Sequence, residues 1–276
     1  GGTRLSGPSI VLSHNHRTLL TLPAGHLAGG VAASITYAYG IPHGGPFSFS
    51  MMTPEVPLTS LAAWSLSDNP SIFFNTVLAG NDQISGGPAA DLLRGYAGDD
   101  LMYGIAGSNS LFGGAGNDVI YAGGPFGGRE IGPVGSNYLR GEEGNDYIVG
   151  GAGFDDMHGN MGNDTLRGGA GFDWVVGGQG NDILYGETGG DIVYGNLGAD
   201  TQFGGDGNDW VRGGQANDSL SGGSGDDWMW GDRGDDTLTG GAGADIFHTL
   251  TAAGLDMVTD FNYAEGDRVV VDQGAY

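Results

Sequence analysis

The chain has 276 residues, 59 of them Gly, with 33 acidic side chains against 9 cationic ones, a formal net charge of −24 and no Cys. This excludes a helix-rich fold, since each helical Gly costs about 1 kcal/mol relative to Ala, and a disulfide framework; the charge argues against nucleic acid as a partner. Such a composition tends to disorder, yet 39% of residues are hydrophobic and 10% aromatic, so an ion is expected to replace part of the missing core.

Residues 1–76 form a Pro-rich N-terminal segment with few charges, holding Pro23, Pro42, Pro46, Pro54, Pro57 and Pro70. Strand-like stretches fall at residues 9–12, 18–22 and 31–39, and a short helix or turn at 58–66. The segment is too small and too broken by Pro for a separate domain. Its strands are expected to dock on the tryptophan-bearing face of the remaining sequence, to extend its repeats, or to add to another subunit by strand augmentation. The opening Gly1-Gly2-Thr3 lacks the charged and apolar blocks of an N-terminal secretory signal. No apolar run reaches the length of about 18 residues that a membrane span needs. His14, His16, His26 and His43 read as surface or packing residues rather than a metal cluster, and no G-x-S-x-G elbow occurs.

From Gly86 the sequence runs in nines, as in GYAGDDLMY and GGAGNDVIY; it is interrupted at 122–131, resumes at Gly132 and keeps phase to His248. Of 17 units, position six is Asp in 15 and Asn in two, Asn109 and Asn137. Position eight is apolar in 16, with Gln202 the exception. A half-unit containing Asp82 precedes the array. Each unit is expected to be a six-residue turn and a three-residue strand. Gly at positions one, two and four allows backbone conformations closed to other residues and lets carbonyls converge. Asp at position six adds a hard anionic oxygen. Calcium takes six to eight oxygens, whereas zinc wants the His or Cys that the turns lack.

These nonapeptides, GGxGxDxUx, resemble the calcium-binding repeats of the RTX (repeats-in-toxin) family over roughly residues 79–272. The resemblance implies an all-β fold: a right-handed parallel β-roll of 18-residue coils, here at 77–248, two units to the coil. It implies Ca2+ between turns one coil apart, at Asp82, Asp91, Asp100, Asp118, Asp146, Asp155, Asp164, Asp173, Asp182, Asp191, Asp200, Asp209, Asp218, Asp227, Asp236 and Asp245. Seventeen turns make at most about fifteen such sites. The site shared by Asn109 and Asn137 has no position-six carboxylate and is expected to be weak or empty. Residues 249–276 break the period and resemble the segment that closes many RTX arrays, a C-terminal cap. The family usually leaves the cell by type I secretion, so a calcium-rich extracellular location, free or at the cell surface, is implied.

Position eight points inward, so positions seven and nine face out. Four of five tryptophans, Trp174, Trp210, Trp228 and Trp230, then fall on one face with Tyr138 and Tyr194. This is more aromatic surface than strand stacking needs and is a candidate interface. Ser34-Ile35-Thr36-Tyr37 and Leu61-Ala62-Ala63-Trp64-Ser65 are faintly similar to the opening of serralysin-type secreted metallopeptidases, but that family's HExxH motif is missing. The expectation is a non-enzymatic, secreted, calcium-binding structural or interaction protein that self-assembles into fibres or a surface layer through the aromatic face and N-terminal segment. The alternatives are a glycan- or partner-binding module and a non-catalytic remnant of a secreted hydrolase.

Overall fold

The computed structural model describes residues 80–86, 90–124, 135–250 and 254–272, and the backbone of four strands before them: Ser9–His14, Arg17–Pro23, Ala33–Tyr37 and Phe47–Met51. Among the described residues there are no helices, and so none long and apolar enough to cross a membrane. Alternate repeat units enter two sheets. A ten-strand parallel sheet runs from Leu92–Ala97 to Arg268–Asp272. A twelve-strand sheet runs from Met257–Val258 through Gln83–Ser85 to the hairpin of Phe47–Met51 and Ala33–Tyr37.

Register follows the repeat. Leu166 lies opposite Leu184, and Val175 opposite Val193, each 18 residues on. Across the interruption Leu111 meets Leu139 and Ile120 meets Ile148. The extra residues therefore leave the ladder in register. The chain is a parallel β-solenoid of about ten coils.

Alternation puts position eight inside. Met102, Leu111, Ile120, Leu139, Ile148, Met157, Leu166, Val175, Leu184 and Val193 are fully buried, as are Val211, Met229, Leu238 and Phe247. Each buried aliphatic side chain stabilises by about 1.5–3 kcal/mol, but the core is one residue deep from each sheet.

The strands are longer than the repeat suggested. Trp174–Gln179 and its neighbours run six residues, because positions two and three pair again after a break at position one. In the N-terminal segment the strands Ser9–His14 and Arg17–Pro23 form an antiparallel pair. Phe47–Met51 joins the roll through Ser50 opposite Gln83, extending the twelve-strand sheet. The helix or turn expected at 58–66 lies outside the described residues. The closing segment adds one strand to each sheet at stretched spacings, with Leu238 opposite Val258 and Phe247 opposite Val269.

Candidate metal sites

The two edges of the roll are stacks of turns, and each stack carries a column of position-six side chains. All sixteen Asp of the expected set are buried there. The backbone N–H of each donates to Oδ1 of the residue one coil on: Asp100 to Asp118 at 2.8 Å, Asp164 to Asp182 at 2.8 Å, Asp191 to Asp209 at 2.7 Å. The turns of Asp91 and Asn109, and of Asp146 and Asp164, are joined in the same way.

In thirteen of these Asp one carboxylate oxygen is thus used and the other is not. Oδ2 is buried without a protein partner in Asp100, Asp118, Asp146, Asp164, Asp173, Asp182, Asp191, Asp200, Asp209, Asp218, Asp227, Asp236 and Asp245, as are both oxygens of Asp82. A buried polar atom without a partner costs about 1–3 kcal/mol, more when charged, so such a column calls for a counter-ion. The Oδ2 atoms point at the position-one glycines. A Cβ on Gly113 would overlap Asp118 Oδ2 and sit 2.8 Å from the Gly141 carbonyl oxygen; on Gly213 it would overlap Asp218 Oδ2 and sit 2.8 Å from that of Gly231. Carboxylate and carbonyl oxygens one coil apart therefore converge beside a residue with no side chain. Among the described residues no three His, Cys, Asp or Glu side chains gather. The donors are hard oxygens, largely backbone, and this set fits Ca2+.

Without a cation, burial raises these carboxyls. It pushes Asp182, Asp191, Asp209 and Asp236 up to about 6. Asp100, Asp118, Asp164, Asp200, Asp218 and Asp227 reach about 7, and Asp146 and Asp173 about 8. The backbone N–H bond opposes the rise and neighbouring carboxylates add to it. The folded turns hold their negative charge only against a cost that protons or metal relieve.

The glycines divide the work differently from expectation. Position four is left-handed in most units, as at Gly116 with φ 134°. Position two is left-handed as well but accepts Tyr96, Glu142, Asn160 and even Ile105 at φ 76–81°. Position one has no left-handed φ; it is Gly because of the oxygens pressed against it.

At Asn109 the pattern inverts. Its Nδ2 donates to the carbonyls of Gly107 and Ala122, both at 3.3 Å, and its N–H donates to Asn137 Oδ1 at 2.9 Å. An amide nitrogen stands where turns such as those of Asp100 and Asp118 present an orphaned oxygen.

The nine-residue period does not reveal two features. Asp256 and Asp267, 20 and 22 residues beyond Asp236 and Asp245, accept the N–H groups of those residues at 3.4 and 3.1 Å and prolong both columns. Irregular spacing hides them. Asp260 caps the same end by accepting from Gly240 and Gly241 N–H. Position five builds a second ladder of opposite polarity: Asn117 Oδ1 accepts from Asn145 N–H at 2.8 Å, and Asn145 Oδ1 from Asn163 N–H at 2.6 Å. The recurrent Asn-Asp pair is its signal.

Outside, Tyr138, Trp174, Tyr194, Trp210, Trp228 and Trp230 all stand on the ten-strand sheet, and Trp210 is 51% exposed. Trp210 stacks on Trp228 at 5.4 Å and 4°, and Trp230 on His248 at 4.5 Å and 17°. Ring faces are turned to one another along the ladder, as cross-strand pairing favours. Arg140 lies over Tyr138 and Arg212 over Tyr194.

The profile of the RTX calcium-binding nonapeptide repeat matches residues 78–104, 103–124, 134–166, 158–193, 167–202, 203–238 and 221–250. No curated protein matches the chain. Proteins with these repeats are typically secreted, and the repeats are typically non-catalytic in themselves. Periodic Asp columns, glycine cradles and the profile agree over more than half of the sequence, and the chain belongs to the RTX family of calcium-binding nonapeptide-repeat proteins.

Proposed function

We propose that this chain is a secreted β-roll folded by calcium, with a structural role outside the cell. The columns of buried Asp Oδ2 atoms without partners carry the reading. Each is placed for a cation between coils, and together they account for much of the −24 charge. In a calcium-poor cytosol the columns repel and the chain stays open for export; in millimolar calcium metal binding and folding are one event. The turn carboxylates are buried and tied to backbone N–H groups, which does not suit a general acid or base, so we read the roll as non-catalytic.

Assembly of copies is the finer part of the proposal. The ten-strand sheet ends in Leu92–Ala97 on one side and Arg268–Asp272 on the other, and among the described residues neither has an outward partner strand. Such edges invite pairing, and a head-to-tail contact that does not close gives a filament. The half-exposed Trp210 and Trp228 add apolar surface to this sheet, and such surface favours a protein neighbour. Far-UV circular dichroism in excess chelator and in millimolar calcium tests the folding; equal β content in both would sink it. Electron microscopy and light scattering in calcium test the assembly, and a monodisperse monomer at high concentration would remove it.

A further inference from the structure

Gln202 breaks the rule that position eight is apolar. It lies in register between Leu184 and Leu220 and is fully buried. Its Nε2 donates to the Arg212 carbonyl at 2.9 Å. Its Oε1 is buried without a partner. Leaving that oxygen unpaired costs about 1–3 kcal/mol, a cost that Leu, present at the positions on either side, would not incur.

The amide sits beside a cation cradle. A Cβ on Gly195 would overlap both Asp200 Oδ2 and Gln202 Nε2 and would sit 2.7 Å from the Gly213 carbonyl oxygen. The carboxamide has thus come to the place where Asp200 and the carbonyl one coil on converge. Asp200 Oδ2 is itself without a partner. It is Nε2 that faces the cradle; the terminal torsion of Gln is broad and roughly two-fold, so a turn about it brings Oε1 there instead and gives up the bond to Arg212. After that turn a cation in this cradle would take Gln202 Oε1 and Asp200 Oδ2 together, in place of the Arg212 hydrogen bond.

We infer that Gln202 is a ligand of the ion held between the Asp200 and Asp218 turns, supplying a side-chain oxygen from the core in addition to the carboxylate and carbonyl oxygens that build the other sites. The inference rests on the calcium reading of the columns. It makes this site distinct among the repeats: its ion ties the turn edge directly to the core.

The test is to count ions per chain by native mass spectrometry across a calcium titration, with folding followed by circular dichroism. Q202L restores the apolar pattern, and Q202M keeps the unbranched shape without the oxygen. Each is expected to bind one ion fewer than wild type at intermediate calcium, with affinity at that site lower by about tenfold or more, whereas Q202E retains the full number. If Gln202 were only a core defect, Q202L and Q202M would fold at equal or lower calcium with the same ion count, and that result overturns the inference. More ions in Q202L than in wild type also overturns it, showing that the amide nitrogen fills the cradle as Asn109 does. Failure of the calcium reading itself is separate: wild type would then bind no ions and fold equally in chelator.

Discussion

Replacing Asp146 by Asn separates the two jobs of a position-six side chain. The carboxylate accepts the Asp118 N–H through Oδ1 at 2.7 Å, while Oδ2 is buried without a partner. Asn keeps the first acceptor and turns the second atom into a donor. Asn109 already shows such a donor bonding to turn carbonyls, and the carbonyl oxygen of Gly159 is the corresponding acceptor beside the Gly141 cradle. In the metal-free roll burial pushes the Asp146 carboxyl up to about 8. Each tenfold change in proton affinity is worth about 1.4 kcal/mol, so near pH 7.5, allowing for water at the turn edge, its presence costs on the order of 2 kcal/mol. Asp146→Asn removes that cost and, on the calcium reading, one expected metal oxygen together. In chelator, with trimethylamine N-oxide titrated in to drive folding, the variant is expected to fold at lower osmolyte than wild type. In a calcium titration it is expected to need more calcium and to bind one or two ions fewer. Equal behaviour in both arms, or greater osmolyte demand with unchanged calcium binding, would refute the reasoning.

The remaining predictions test other parts of the same physics. Because burial raises the turn carboxyls to about 6–8 in the metal-free roll, the folded state binds more protons than the unfolded one. Stability is then fully present below the ordinary carboxyl range and is lost as pH rises through 6–8. In chelator, β content by circular dichroism should therefore be higher at pH 5 than at pH 8; the reverse order would contradict the assignment. Gly177→Ala puts a methyl against Asp182 Oδ2 at a residue without left-handed φ, so its loss should appear as weaker calcium binding rather than backbone strain, and unchanged calcium affinity would refute the cradle. Leu166→Ala, at a fully buried site of a one-residue-deep core, should cost about 2–5 kcal/mol and raise the calcium midpoint. A double change of Trp210 and Trp228 to Thr should leave calcium-driven folding in place and reduce light scattering at high concentration; scattering that persists unchanged would remove the aromatic face from assembly.

Much of the fold was legible because a nine-residue period is a geometric statement. Two units make one coil, position eight alternates inward, and Leu166, Val175 and Leu184 lie in the core as the spacing implied. Position-six Asp also fell on two columns, since residues 18 apart stack when the coil repeats. Legibility failed where the period stretched or where one letter hid two roles. Asp256 and Asp267 continue the columns at irregular spacing, so no count in nines reaches them. The glycines at positions one and two look alike in the sequence, yet one is required by an oxygen pressed against it and the other by a left-handed backbone that Glu142 or Asn160 also adopts.

The sequence by itself determined the all-β repeat, the candidate metal and the outward side of the tryptophans, because alternation, ligand hardness and period need no third dimension. Only the tertiary structure decided how carboxylates such as those of Asp118 and Asp146 divide their two oxygens between a backbone N–H and the cradle, that Asn109 turns an amide nitrogen to the carbonyls there, and that the Gln202 amide reaches the cradle of Gly195 from the core. Those outcomes depend on which atoms of different coils come within bonding distance, and that is settled only when the coils stack.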